Sequence, residues 1–347
     1  MSKPQSSARM RQKLTNILFP LLLGGGILYW MYREFDFSVL KTTMESGIHW
    51  DWVVYSMVFG VLAPLIRGVR WRQTLSPLGE HPSTRTCVAA VFLSYASSLV
   101  VPRSGELTRC GTLSKYDGIS FTKSLGTVVT ERIIDSVLVL LMTGCAILLE
   151  MGVFHTFFQE TGTSFSDFFG RFTSTGYLVA GLCLVVTVVF LYFILRRMQV
   201  LSKVRNSFKN IKSGILSLRK VRNEWLFSLY TFLIWFCYFA HHSLAFQWFD
   251  FSSHLGFSAA LVSFAVGSIS VIVPTPNGAG PWHFSVKTIL ILYGITDENA
   301  VLFVLIVHTL QTALIPLLGL VGLLMLRKSG NLVTDDHHQE NILSNNP

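Results

Sequence analysis

Val100-Val101-Pro102-Arg103-Ser104-Gly105-Glu106 and Val273-Pro274-Thr275-Pro276-Asn277-Gly278-Ala279-Gly280-Pro281-Trp282-His283 each interrupt an apolar segment, one in each half of the chain. Proline removes a backbone donor and glycine weakens a helix, so a helix that enters either stretch stops there. Hydrocarbon offers no partner to the freed backbone groups. Such a break therefore survives only against protein or a water-filled cavity. Two breaks at matching places in two halves are the pattern of a site built at a repeat interface.

The rest of the chain supports a setting in the bilayer. Of 347 residues, 51% are hydrophobic and 14% charged, against about 25% charged in soluble domains. Apolar blocks at 14–32, 50–67, 125–149, 177–195, 225–249 and 300–326 each approach the ~20 residues that a spanning helix requires. The basic stretch 1–13 followed by Leu14–Tyr32 resembles a secretory signal, but it is long enough to span and lacks a small-residue cleavage site, so it is read as the first span. Cys87, Cys110, Cys145, Cys183 and Cys237 are scattered without metal-ligand spacing and are read as packing residues.

Charge sets the orientation. The loops after the first and third spans are acidic and are predicted outside; Arg67, Arg70, Arg72 and Arg85 follow the second span and are predicted in the cytoplasm. The 196–222 loop carries nine Lys/Arg and no carboxylate, and joins them there. Segment 86–123 then begins and ends inside, and segment 257–296 begins and ends outside. Both are predicted to enter the membrane and return. The expected fold is an all-α integral membrane protein with six full spans, two re-entrant helical hairpins in an inverted repeat, and both termini cytoplasmic. Its halves are 14–149 and 177–326, within a single membrane domain 14–326. They are joined by a basic amphipathic linker at 198–222 suited to anionic headgroups, and followed by a polar, disordered tail from 327. Ten shorter crossings, with both segments as kinked spanning pairs, remain the alternative.

Several polar residues stand out. Arg103, Glu106 and Arg109 recur every three residues past Pro102, so a helix there lets them pair as Arg-Glu-Arg with one positive charge left over. That surplus suits a phosphate. The alternative is that they snorkel to the headgroups and set topology. Glu131, Arg132 and Asp135 lie inside a span and need partners facing the protein. They form either a proton or cation relay or an internal ionic lock, with Arg109 and Arg103 as candidate partners. At the second tip, Gly278 and Gly280 let backbone N–H groups approach an anion, and a half-helix starting near Trp282 aims its positive end into the same space. His283 is a titratable donor there, and His308 and Gln311 share a face that could line the same cavity. His241 and His242 read as interfacial, without a third ligand for a metal. No GxxxxGK[ST], HExxH or GxSxG motif occurs, and no cofactor or metal is expected.

Arg103-Ser104-Gly105-Glu106-Leu107-Thr108-Arg109, Gly118, Glu131-Arg132-Ile133-Ile134-Asp135 and the Pro-x-Pro-x-Gly-x-Gly tip at 274–280 together resemble the lysylphosphatidylglycerol synthase transmembrane-region family. Its members are also called flippase-like. The resemblance covers about 10–326 and implies an inner-membrane, multi-pass protein that moves or handles amphipathic anionic lipids, such as aminoacylated phospholipids or lipid-linked sugars. It also implies that Arg103, Glu106, Arg109, Glu131, Arg132 and Asp135 form the family's polar cluster and Gly278 and Gly280 its glycine tip. This chain carries His283 where the family has a glutamate, and Asn277 where it has a glycine. The family's synthases join this region to a large cytosolic aminoacyl-transferase domain that these 347 residues do not hold, so lysyl transfer is not expected of this polypeptide. The alternative function is an accessory subunit of a lipid-modifying enzyme, or an intramembrane enzyme. Expected partners are anionic membrane lipids and such an enzyme, not nucleic acid.

Overall fold

The two interrupted segments each fold as helix, break and helix. The structure is a computed structural model that describes residues 22, 24–29, 32–33, 43–44, 47–152, 223–273 and 275–344, with side chains described as far as Arg327. Among these residues the regular structure is entirely helical: α1 (Trp50–Leu75), α2 (Thr84–Val100), α3 (Gly105–Tyr116), α4 (Phe121–Leu149), α5 (Glu224–Leu244), α6 (Phe257–Ser270), α7 (Pro281–Leu292) and α8 (Asp297–Ser344).

Four stretches are long and apolar enough to cross a membrane, at Trp50–Leu78, Phe121–Leu149, Glu224–Trp248 and Asp297–Arg327. The chain is a multi-pass membrane protein. Most of the expected span 14–32, and all of 177–195 and the 198–222 linker, lie outside the described residues. The helices of the two breaks are shorter. With 17 residues in α2, 12 in α3, 14 in α6 and 12 in α7, they run about 18–26 Å at 1.5 Å per residue, short of the ~30 Å hydrocarbon core.

The first break is built from Val101 to Ser104, with Arg103 in the left-handed region at φ 64°. Its glycine is required by contact. A Cβ on Gly105 would lie 2.6 Å from the Ser94 carbonyl oxygen and from Ser98 Oγ, so α3 can start only by pressing its backbone onto α2. The far end is stapled by Asp117, which follows α3 and accepts from the Ser83 backbone N–H and the Thr86 hydroxyl at 2.8 Å each, next to the Ser83 N-cap of α2. The end of α3 thus lies beside the start of α2. In the second break, Gly280 sits at φ 91°, and a Cβ there would stand 3.0 Å from Ile27 Cβ and 3.1 Å from the Gly24 carbonyl.

The packing repeats between halves. α1 lies against α5; α2 packs on α8 as α6 packs on α4; each hairpin packs α2 on α3 and α6 on α7; and α1 meets α2, and α3 meets α4, as α5 meets α6 and α7 meets α8. The first half closes on Trp71, Leu75, Cys87, Cys110 and Leu113, and the second on Phe246, Trp248, Phe249, Trp282 and Phe303.

Two expectations are corrected. α1 does not end at residue 67 but continues to Leu75, which carries Arg67 and Arg70 into the interior, where both are buried. The stretch after Arg327, expected to be disordered, continues the helix to Ser344. Extending an established helix costs far less than nucleating one, which accounts for the continuation.

Candidate functional site

Three helices of the first half bring their charges to one buried place. Arg67 and Arg70 come from α1, Arg109 from α3, and Glu131 and Asp135 from α4, one helical turn apart on one face; all five are buried. Arg67 Nη1 donates to Asp135 Oδ2 at 2.7 Å, and Arg109 Nη2 to Glu131 Oε2 at 2.5 Å. Arg70 Nη2 stands between the carboxylates, 3.4 Å from Glu131 Oε1 and 3.8 Å from Asp135 Oδ1, while its Nη1 donates to Thr231 Oγ1 at 2.9 Å.

Aromatic faces complete the surround. The Arg109 guanidinium lies 3.8 Å over the Trp71 ring, and Trp71 Nε1 donates to Thr127 Oγ1 at 2.9 Å. Arg67 lies 5.7 Å over Tyr238, whose hydroxyl meets Tyr95 at 2.6 Å. One further pair stands at the edge. Arg132 Nε contacts Glu106 Oε1 at 3.2 Å and Arg132 Nη1 reaches Asp135 Oδ2 at 3.6 Å.

Four guanidinium groups thus meet three carboxylates, leaving one positive charge unmatched. Among the described residues, the Nε atoms of Arg67, Arg70 and Arg109 find no hydrogen-bond partner although they are buried. Buried charges without full pairing are costly. A monoanion with several acceptor oxygens would satisfy both the surplus charge and the spare donors.

The structure divides the residues singled out in the sequence. Glu106, Arg109, Glu131, Arg132 and Asp135 come together as one network. The expected Arg103-Glu106-Arg109 pairing does not form, because Glu106 turns to Arg132 and Arg109 to Glu131. Arg103 instead crosses between the breaks, donating from Nη2 to the Ile272 carbonyl at 2.7 Å.

At the second tip, the N–H groups of Gly278 and Ala279 are bonded to the carbonyls of Thr275 and Pro276, and that of Gly280 to His283 Nδ1. These three donors are satisfied within the tip. The His283 and His308 rings meet at a tilt of 54°, with centroids 4.3 Å apart. His308 Nε2 meets the Asn277 carbonyl at 3.1 Å, and Thr312 Oγ1 bridges His308 Nδ1 and Asn277 Nδ2. Gln311 points elsewhere, to the His241 carbonyl at 3.4 Å.

His241 and His242 were expected at an interface but are held inside by α1 and α6: His241 Nδ1 meets the Ser56 carbonyl at 2.7 Å, and His242 Nε2 meets Ser263 Oγ at 2.8 Å. Among the described residues no group of three or more His, Cys, Asp or Glu side chains is placed to hold a metal.

Sequence reasoning missed Arg67, Arg70 and Trp71. Arg67, Arg70, Trp71 and Thr74 recur by three and four, which places them on one helical face and marks a helix continuing past its apolar run.

Residues 17–319 match the family model described as lysylphosphatidylglycerol synthase TM region. No curated protein and no solved structure matches the chain.

Proposed function

Because the chain belongs to the lysylphosphatidylglycerol synthase transmembrane-region family, we propose that it is a carrier of amphipathic anionic lipids in the inner membrane, and that the buried arginine cluster holds the phosphate of the headgroup. One observation carries the reading: a cluster with one surplus positive charge and spare guanidinium donors, enclosed between α1, α3 and α4. A salt-bridge lock built only for stability would match its charges. Arg109 and Arg70 are the ligands of the phosphate, since arginine presents a fork of donors to such an oxyanion. Glu131 and Asp135 are the counter-ions that the phosphate displaces on arrival and that reclaim the arginines when it leaves. We take the two short hairpins to enter the bilayer from opposite faces and return, with their breaks, and the Arg103 bridge between them, toward the midplane; the helices of 12 to 17 residues support this reading. The second tip, whose Gly278, Ala279 and Gly280 N–H groups are all bonded within it, acts as a packed wedge, with His283 and His308 fixing its shape.

The test is lipid translocation in proteoliposomes with fluorescent anionic phospholipid and polyprenyl-phosphate probes, comparing wild type with Arg109→Lys. Lysine keeps the charge but loses the fork and the planar stacking on Trp71. Wild type is expected to move at least one anionic probe, and the folded variant to move it at least tenfold more slowly. No movement of any probe by folded wild type would overturn the carrier reading in favour of an accessory or enzymatic role.

A further inference from the structure

Arg132 is the member of the ionic network that does not fit a closed interior. Its side chain is 48% exposed among the described residues, yet it stands eleven residues into α4, about 16 Å along a helix whose one further charge is the buried Asp135. A charge at such a place would normally turn inward or snorkel to the headgroups. This one lies in a groove of about 370 Å³ lined by Leu125, Val129, Ile133, Val137 and Leu140 of α4, with Glu106 of α3 at its side. The lining residues recur by three and four, so the groove runs along one face of α4 from Leu125 to Leu140, about 22 Å.

We propose that this groove is the lateral entry site of an anionic phospholipid, with an acyl chain along the α4 stripe and the phosphate on Arg132. Charge complementarity decides the occupant. The groove wall is almost wholly apolar, as an acyl chain requires, and its one cation belongs to a network that carries one positive charge in excess. Arg132 also connects outside to inside, because the same guanidinium touches Glu106 at the groove and Asp135 in the buried cluster. A phosphate that displaces Glu106 from Arg132 is therefore one ion-pair exchange from Asp135, and through it from Arg67 and Arg70. This inference rests on the carrier reading but concerns occupancy, not movement, so the two can fail separately.

The experiment places the full-length chain in nanodiscs of phosphatidylcholine that contain a minority of phosphatidylglycerol with a photoreactive acyl chain, and maps the adducts by mass spectrometry. Adducts are expected on residues 125–140, at several times the yield given by phosphatidylcholine with the same photoreactive chain, and to fall to the phosphatidylcholine level in Arg132→Gln. Ser136→Trp covers the case in which loss of a charge disturbs folding. Ser136 is exposed on the groove and outside the ionic network, so this variant should remain monodisperse and lose the adducts by filling the space. Excess glycerol phosphate should leave the yield unchanged; full competition by it would overturn the lipid assignment in favour of a soluble phosphate site. Absence of adducts, or a yield indifferent to headgroup charge and to Arg132, would also overturn the proposal. Selective adducts in a protein that translocates nothing would retain the groove and remove the carrier. Translocation without selective adducts would do the reverse.

Discussion

The two halves of this protein use one packing scheme for opposite chemistry. α4 and α8 occupy equivalent places, each beside the second helix of its hairpin and across from the first helix of the other. Some ten residues along α4 stands Glu131, and eleven along α8 stands His308. Glu131 meets Arg109 from its hairpin; His308 meets His283 from its own. The first half thus encloses a charged network with donors to spare, and the second a neutral one in which His308 bonds at both ring nitrogens. Fold repetition supplies two equivalent places, and side-chain choice leaves surplus positive charge in only one.

The largest effects should come from breaking the charged half. Glu131→Ala leaves Arg109 and Arg70 buried without their main counter-ion, and loss of one partner from a buried ion pair costs about 3–5 kcal/mol. Much reduced folded yield and a large drop in the unfolding midpoint in detergent are expected. The matching change in the other half, His308→Leu, strips hydrogen bonds from the Asn277 carbonyl and Thr312 and should cost about 1–3 kcal/mol. Equal losses would mean that the halves do not differ as their charges indicate. A sharper variant removes charge in pairs: Arg67→Met with Asp135→Leu replaces an ion pair by apolar volume, which is often neutral or stabilising by about 1–4 kcal/mol. Such a protein should fold, keep Arg70 and Arg109 with Glu131, and translocate anionic lipid more slowly, because Asp135 no longer reclaims an arginine when the phosphate leaves. Full transport by it would remove Arg67 and Asp135 from the carrier mechanism.

The same contrast explains what the sequence made legible. Glu131 and Asp135 could be identified because ionisable groups inside an apolar run must have partners, whatever the fold. The two breaks could be identified because proline and glycine act locally. Arg67 and Arg70 were misplaced because a charge count treats basic residues after an apolar run as solvated. Their burial depends on α1 continuing through Gly68, where a Cβ would come within 2.6 Å of Val88 Cα, a contact between segments that no local rule contains. The second tip misled for another reason. Its glycines do free the backbone, but His283 lies three residues past Gly280 and takes that N–H, the offset at which a helix-start residue is reached by a side chain.

A smaller effect is expected where the second half depends on backbone shape. Gly280→Ala places a side chain at φ 91° against Ile27 and the Gly24 carbonyl, and left-handed strain of this kind costs about 1–3 kcal/mol. Gly118→Ala, at φ 66° with open space around it, has the strain without the collision. Its midpoint should therefore fall less. Identical shifts would show that segment 24–27 yields freely to the tip.

The smallest change in stability should come from Arg103, and it bears on whether the halves are coupled. Its hydrogen bond to the Ile272 carbonyl is exposed, which limits its net worth to about 1 kcal/mol, and the residue holds it from a left-handed backbone that costs an L-residue about 1–2 kcal/mol. The two terms nearly cancel, so stability alone does not account for the arrangement. Arg103→Ala loses the bond and retains the strain, whereas Arg103→Gly loses both and should be the more stable of the two. Spin labels at exposed Leu107 and Phe284 report the separation of the hairpins. Both variants should broaden that distance distribution, and Arg103→Gly should do so at nearly unchanged midpoint. In that case the bond serves to hold the charged half to the neutral one. An unaltered distribution in both variants would mean that the hairpins are fixed by α2 on α8 and α6 on α4, and that Arg103 only decorates the seam.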